Sequence, residues 1–136
     1  MTGKDPRSVR DPVRRRNVAD GPEEQVRQAL LDWLVHTRGV PAGLIAVEKA
    51  ILVNGQTRRP DIVVHDRAGA PWMVIECKAP DVVVNAAVAE QVAAYNSVLR
   101  APYLLVSNGR DHIGAAVDTV EGRVRFLDEI PNYPAR

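Results

Sequence analysis

The sequence predicts a single α/β domain, in which a mixed β-sheet is flanked by helices. Two stretches carry apolar residues at the helical spacing, and the chain between and after them changes to short apolar runs bounded by turn residues. The predicted order is α-β-β-β-α-β followed by a short hairpin, which favours helices packed on a partly parallel sheet. With 136 residues, of which 46% are hydrophobic, the chain is long enough for one core.

Composition excludes several classes of protein. The single cysteine, Cys77, excludes an internal disulfide and zinc sites built on paired cysteines, so we expect a cytoplasmic protein. The apolar runs are far shorter than the roughly 18 to 20 residues that cross a bilayer, so we expect no membrane association. Residues 1–21 hold six basic and three acidic side chains and no apolar period. We expect them to form a disordered basic tail, and residues 22–136 to form the domain.

The elements follow in order from Pro22. Proline suits the first position of a helix, and the two glutamates after it suit its positive end, so a helix is predicted from there to just before Gly39. Residues 51–53 lead into Asn54-Gly55, a hairpin-turn dipeptide, and the pattern predicts that they pair with residues 61–65. A third strand over residues 72–78 is apolar at its centre, which indicates a central strand covered on both faces.

The second half of the chain repeats the alternation of helix and strand. An alanine-rich helix is predicted over residues 85–100 and a strand over residues 103–106. A strand, a helix and a further strand imply a crossover connection. Residues 113–117 and 124–127 are predicted to form a final hairpin.

Three charged residues lie where strand geometry brings them together. Glu76 and Lys78 are two residues apart, so they share one face of the third strand while Cys77 points to the other. Asp61 opens the preceding strand, and hairpin pairing would place its carboxylate beside Glu76. Two converging carboxylates call for a cation, and all-oxygen ligation suits Mg²⁺ or Mn²⁺. With Lys78 to orient water or stabilise phosphate charge, the set fits phosphodiester hydrolysis.

Other polar residues are predicted near this set. At 100° per residue Glu23 falls on the apolar face of the first helix, so we expect it to face the core or a cleft, with Glu24 turned away. Gln91 and Tyr95 are four residues apart, and we expect both on the packing face of the second helix. Arg58 and Arg59, just before Pro60, are candidates for contacts with DNA phosphates.

These motifs together resemble a known superfamily. Pro60-Asp61, Glu76-Cys77-Lys78 and Gln91-Val-Ala-Ala-Tyr95 resemble the PD-(D/E)XK nucleases with their Q-x-x-x-Y addition. Four segments are similar to the N-terminal nuclease domain of type I restriction enzyme R subunits: Pro22-Glu-Glu-Gln-Val-Arg27, Arg59-Pro-Asp-Ile-Val63, Ile75-Glu-Cys-Lys-Ala-Pro80 and Tyr103-Leu-Leu-Val-Ser-Asn-Gly109. The resemblance implies a restriction-endonuclease-like fold and a metal-dependent DNA endonuclease.

The resemblance also implies roles for the residues. Asp61 and Glu76, with the backbone carbonyl of Cys77, would hold Mg²⁺, for which Mn²⁺ is a possible substitute. Lys78 would act on the nucleophilic water, and Glu23 would assist the metal or the water.

In the same resemblance Gln91 and Tyr95 would position DNA or brace the site. Type I R subunits continue into a motor, but this chain contains no G-x-x-x-x-G-K-[ST] phosphate loop, so we expect no translocation by it alone. We expect a homodimer or a partner subunit. Two alternatives stay open: a non-catalytic DNA-binding or assembly module of a restriction or defence system, and a structure-selective nuclease similar to a junction resolvase.

Overall fold

The computed structural model describes residues 8–11, 16–19 and 21–135, and for the two N-terminal segments and Tyr95 it describes the backbone alone. The strands are β1 Ser8–Asp11, β2 Arg16–Ala19, β3 Ile45–Val47, β4 Ile51–Val53, β5 Gln56–Arg58, β6 Ile62–His65, β7 Pro71–Cys77, β8 Tyr103–Ser107, β9 His112–Val117 and β10 Val124–Leu127. The α-helices are α1 Pro22–Asp32, which continues as a π-helical turn Trp33–Thr37, and α2 Ala86–Leu99; a short 3₁₀ turn is formed by Ala42–Leu44.

The predicted α/β class is confirmed. A six-stranded mixed sheet has the order β10-β9-β8-β7-β6-β3. Strands β7 and β8 run parallel across the α2 crossover, and the other neighbouring strands run antiparallel. Strand β7 therefore lies inside the sheet, as its apolar centre predicts. The final hairpin is also confirmed, by the pairing of β9 with β10.

The helices cover opposite faces of this sheet. Met73, Ile75 and Cys77 are buried in a cluster with apolar residues of α1, whereas Val74 is buried in a second cluster with Val92 of α2. Successive side chains of β7 thus enter different layers, as the two-residue period of a strand requires. The second layer is the side to which Glu76 and Lys78 belong by the same alternation.

One predicted pairing is wrong. Residues 51–53 pair with β5, and β4 and β5 form a separate two-stranded ribbon. Asn54 and Gly55 have φ angles of 51° and 77°, as in the two-residue turn that returns the chain at once upon itself. The partner of β6 on that side is β3, whose three residues were not predicted as a strand. The first strand of the α-β-β-β-α-β core is therefore β3.

Two strands also lie within the predicted tail, where no strand was expected. Strands β1 and β2 pair antiparallel, with Ser8 opposite Ala19. Residues 1–7, 12–15 and 20 lie outside the described residues, so the predicted disorder of the tail stays a prediction there. Among the described residues, no helix is long and apolar enough to cross a membrane.

Candidate active site

The two candidate carboxylates come from adjoining strands. In the antiparallel pairing of β6 with β7, Ile62 lies opposite Ile75. The same register, continued by one residue, places Asp61 opposite Glu76. Side chains directly opposite one another in such a pair lie on the same face of the sheet. The structure therefore brings these two carboxyl groups together at the end of β7, as expected if the two strands form a hairpin across the turn from Asp66 to Pro71.

The backbone of β7 holds the Asp61 carboxyl group in place. It is only 7% exposed, and its Oδ2 accepts a hydrogen bond of 2.8 Å from the N–H of Cys77. Burial raises the pKa of Asp61, although the hydrogen bond from Cys77 and the positive charge of Arg27 oppose that change. The carboxyl group is thus fixed in orientation within a poorly hydrated pocket.

The pKa of Glu76 is strongly raised. Burial first, and then the negative charge of Asp61, raise its pKa to about 8. The positive charge of Lys78 acts in the opposite direction. Among the described residues, the buried Oε2 of Glu76 has no hydrogen-bond partner. A buried acceptor without a partner is costly, so this oxygen is placed to receive a proton or a cation.

Lys78 and Glu23 lie within electrostatic reach of Glu76. Lys78 follows β7 directly, is half-buried, and donates its backbone N–H to the Ser107 carbonyl at 2.8 Å, which ties the strand end to β8. The negative charge of Glu23 raises the pKa of Glu76. Glu23 itself is exposed and Glu24 is half-buried. Of the two predicted positions of Glu23, core or cleft, the core is therefore wrong, whereas its charge does act on Glu76.

Arg27 lies in this site, and the sequence analysis did not predict it or its partner Glu48. Its guanidinium makes three ion pairs: Nε with Glu24 Oε2 at 3.2 Å, Nη1 with Glu48 Oε1 at 3.2 Å, and Nη2 with Asp61 Oδ1 at 3.5 Å. It is 8% exposed. Burial alone would lower the pKa of Arg27, but the three carboxylates raise it. The available signal was its position three residues before Leu30, which puts a charge on the buried face of α1.

Glu48 also lies in the site, and its backbone conformation is strained. It follows β3 with a φ angle of 53°, in the left-handed region that residues other than glycine rarely adopt. Its N–H donates to the carbonyl of Asp61 at 3.1 Å. The strain persists because this hydrogen bond and the ion pair with Arg27 hold the residue from both ends, and such outliers cluster at functional sites.

Gln91 does not lie on the packing face of α2, where it was predicted. Gln91 is exposed, whereas Ala89, Val92 and Asn96 are buried, so the packing face of α2 differs from the predicted one. The cause is the apolar character of most of this helix, which left the direction of its face undefined by the pattern. The predicted burial of the Tyr95 side chain lies outside the described part of the structure.

The two arginines of the predicted phosphate contacts are exposed. Arg58 ends β5, and its Nη2 donates to Gln56 Oε1 at 2.7 Å. Arg59 follows, and Pro60 then returns the chain to the buried Asp61. Both arginines therefore stand at the base of the β4–β5 ribbon, close in sequence to the carboxylates and open to solvent.

Cys77 faces away from the carboxylates, as predicted. It is fully buried in the cluster under α1. Burial raises the pKa of its thiol well above the ordinary range, so it is a thiol at neutral pH and no nucleophile.

A comparison with protein families decides the relationship of this chain. A family model described as type I restriction enzyme R protein N terminus (HSDR_N) matches residues 22–131. The chain belongs to this family. The match begins at the first residue of α1 and runs past β10, so it covers the whole six-stranded sheet. No curated protein and no solved structure gives a significant match.

The donor set at Asp61 and Glu76 fits a hard divalent cation. Asp61 and Glu76 offer only oxygen, and one oxygen of Glu76 is buried without a hydrogen bond among the described residues. Those residues contain no closed cluster of three or more histidine, cysteine or acidic side chains that could hold a metal. Mg²⁺ is commonly bound through one or two carboxylates and keeps several waters, so an open pair is a suitable site. Ligation by the Cys77 carbonyl stays a prediction.

Proposed function

We propose that this R protein N-terminal domain is a metal-dependent endonuclease that hydrolyses DNA phosphodiester bonds with Mg²⁺, which Mn²⁺ can replace. One observation carries the proposal: the buried Asp61 and the half-buried Glu76 lie opposite each other on adjoining strands, with the pKa of Glu76 raised to about 8. Lys78 supplies a positive charge that acts on Glu76. An ordinary structural ion pair would not need two carboxyl groups that face each other and are both shielded from water.

The position of each residue indicates its role in the proposed reaction. A divalent cation held by Asp61 and Glu76 would polarise the scissile phosphate and favour ionisation of the attacking water. Lys78 can hold that water by hydrogen bonding or stabilise the negative charge that grows on the phosphate. The Cys77 N–H fixes Asp61 Oδ2, so the carboxylate is oriented before the cation arrives. Glu23, exposed at the rim, would assist the water.

DNA would approach over the β4–β5 ribbon. Arg58 and Arg59 are exposed at its base, one and two residues before Pro60. Contacts to phosphates are the usual role of such arginines and make binding dependent on salt. Changing both to alanine should weaken binding uniformly across DNA sequences and reduce the slope of log affinity against log salt by about 2. Fluorescence anisotropy at several salt concentrations measures both quantities.

The main experiment is plasmid cleavage with Mg²⁺ or Mn²⁺. Asp61→Asn and Lys78→Met should each lower the cleavage rate by at least about a hundredfold, because each removes a group acting on the reacting phosphate. Arg67→Ala, at the exposed far turn of the β6–β7 hairpin, is a matched surface control and should cleave like the wild type. Equal rates for all four proteins would refute the catalytic assignment and leave a DNA-binding or assembly module.

A partner is also part of the proposal. A double-strand break needs two active sites or one that acts twice, and the family is named after one protein, R, of a type I restriction enzyme. We infer that the chain works as a homodimer or with a partner subunit. Light scattering on the chain bound to a DNA duplex should give two copies per duplex; one copy would indicate that another protein completes the assembly.

A further inference from the structure

The β4–β5 ribbon carries a local excess of positive charge. Residues 22–136 hold twelve basic and fourteen acidic side chains, so the domain as a whole is slightly acidic. Residues 49–60, which form the ribbon and its two flanks, contain Lys49, Arg58 and Arg59 and no acidic residue. All three basic residues are exposed. Positive charge concentrated on one element of an acidic body is complementary to a polyanion such as DNA.

The ribbon is preformed and fixed at its base. Within the described chain, β4 and β5 pair with each other and not with the six-stranded sheet. Ile51, the first residue of β4, is buried, and β4 packs beside α2. Asn54 and Gly55 make the two-residue turn at the tip, where both have a positive φ, and such turns match the twist of the paired strands. A preformed element loses little conformational freedom when it binds a partner.

The side chains exposed on the ribbon are of the types that contact DNA bases. Gln56 Oε1 accepts a hydrogen bond of 2.7 Å from Arg58 Nη2, which orients the amide while its second oxygen lone pair and its NH₂ group point to donors and acceptors elsewhere. Asn54, at the tip, presents a second exposed amide. Amides of this kind pair with N6 and N7 of adenine. On the other face Leu52, 66% exposed, lies opposite Thr57, and such apolar groups contact the thymine methyl.

The width of the ribbon determines which groove can take it. The backbones of two paired strands are already about 4.8 Å apart. The major groove of B-DNA is about 12 Å wide and admits a two-stranded ribbon, whereas the minor groove, at about 6 Å, leaves no room for the side chains. Gln56 precedes Asp61 by five residues. That length of chain spans at most about 17 Å, or about five base pairs of DNA.

We propose that the β4–β5 ribbon enters the major groove of the bound duplex, where Asn54 and Gln56 contact base edges within about five base pairs of the phosphate at Asp61. The inference rests on the proposed function, because it concerns the DNA substrate of that site. Arg58 and Arg59 bind phosphates beside the groove and fix the register of the duplex, whereas the two amides determine which bases are preferred.

The test is fluorescence anisotropy of the full chain with three short duplexes of one sequence. All proteins carry Lys78→Met and are measured with Mg²⁺, so that the DNA stays intact. One duplex has ordinary bases. In the second, 7-deazapurines remove the N7 acceptors of the major groove, and in the third, inosine replaces guanine and removes its minor-groove amino group. The Kd should rise at least about fivefold on the 7-deazapurine duplex and stay unchanged on the inosine duplex.

The matched variant removes both amides and keeps the ribbon. Asn54→Gly suits the φ angle of 51° at this position, and Gln56→Ala shortens one exposed side chain. The double variant should bind all three duplexes equally, with the affinity that the parent chain has for the 7-deazapurine duplex. Arg67→Ala, at an exposed turn on the β6–β7 hairpin, is the control and should distinguish the duplexes as the parent chain does.

The outcomes separate this inference from the proposed function. Equal affinity of the parent chain for the ordinary and 7-deazapurine duplexes, or weaker binding of the inosine duplex, would overturn the placement of the ribbon. A double variant that still distinguishes the duplexes would show that another element contacts the bases. In these cases plasmid cleavage that depends on Asp61 leaves the endonuclease proposal standing. A chain that binds no duplex would overturn both, and the parent chain decides the matter if circular dichroism shows the double variant unfolded.

Discussion

Glu76 is a carboxyl group that the folded chain keeps in an unfavourable environment. Burial and the adjacent Asp61 raise its pKa to about 8, so near neutral pH the metal-free domain retains a proton that the unfolded chain releases at much lower pH. The proposed cation site would hold its ligands together before the cation arrives, and the protein would lose stability by doing so. The same feature makes the site visible in a stability measurement.

The first prediction concerns pH and stability without metal. Between about pH 4.5 and 8 the unfolded chain has lost the Glu76 proton and the folded chain keeps it, so the free energy of unfolding should fall as pH rises through this window. Above about pH 8 the Glu76 contribution should level off. Urea unfolding in EDTA across this range measures the fall, and Glu76→Gln should flatten it.

The control for that prediction is the response to metal. At pH 8 the Glu76→Gln chain should be more stable than wild type in EDTA, because the repulsion with Asp61 is gone. Added Mn²⁺ should stabilise wild type and leave Glu76→Gln nearly unchanged. An unfolding free energy of wild type that rises from pH 5 to pH 8 in EDTA would contradict the assignment of the raised pKa to Glu76.

The sequence could predict the central residues of the candidate site but not Arg27, which pairs with Asp61. Glu76 and Lys78 follow from the two-residue period of a strand, and Asp61 from its position at the start of the hairpin. Arg27 could not be assigned because an arginine on a helix usually lies in solvent, and its carboxylate partners come from segments far apart in sequence. Long-range ion pairs of this kind leave no local pattern.

At the scale of elements, the end of α2 is fixed by one buried amide. Asn96 is 4% exposed; its Oδ1 accepts the N–H of Ala101 at 2.7 Å, and its Nδ2 donates to the carbonyl of the same residue. Arg100, between them, adopts the left-handed conformation that ends helices. This arrangement sets the direction in which the chain leaves α2 and enters β8, and so the parallel pairing of β8 with β7.

The second prediction follows from that amide. Asn96→Ala should lower the free energy of unfolding by about 1 to 3 kcal/mol, because it leaves a buried N–H and carbonyl of Ala101 without partners. Ser97→Ala is the matched control: its hydroxyl is exposed and bonds only the Ala94 carbonyl of its own helix, so it should change stability by less than about 0.5 kcal/mol. Equal effects in urea unfolding would show that Asn96 is not the fixing residue.

Elements were predictable where their signals were strong and local. Helix α1, the interior strand β7 and the crossover through α2 agree with the pattern. The pairing of β4 was wrong because the Asn54-Gly55 turn acts on the residues immediately beside it. Strand β3 was missed because three residues carry too little alternation to be distinguished from a loop.

At the scale of the whole molecule, the C-terminal segment binds the domain together. The ring of Tyr133 lies 5.4 Å from that of Trp72, and its hydroxyl donates to the carbonyl of His65 at 2.7 Å. Arg38, after α1, donates to the carbonyls of Ile130 and Pro131, both at 3.0 Å. The last residues of the chain thus connect the helical layer to the β6–β7 hairpin, at the end away from the carboxylates.

The third prediction tests the C-terminal segment, residues 130–133, which acts as a strap across the domain. Tyr133→Ala should lower stability by about 2 kcal/mol, since it removes the ring packing and the hydroxyl bond, and should lower the thermal midpoint by about 4 to 8 °C. Tyr133→Phe keeps the ring and should cost about 1 kcal/mol. Mn²⁺ binding at temperatures below the transition should stay at the wild-type level for both. A change in Mn²⁺ affinity would mean that the strap also shapes the active site.

The turn Asp66–Ala70 closes the β6–β7 hairpin at the end opposite Asp61 and Glu76. Asp66 Oδ1 accepts the N–H groups of Ala68 and Ala70, so the turn is firmly shaped although exposed. At about 3.3 Å per residue, β7 separates it from Glu76 by roughly 20 Å. A fluorophore attached at Ala68 would therefore sit at a distance suited to energy transfer from a dye on DNA, and would report docking of the duplex without touching the chemistry.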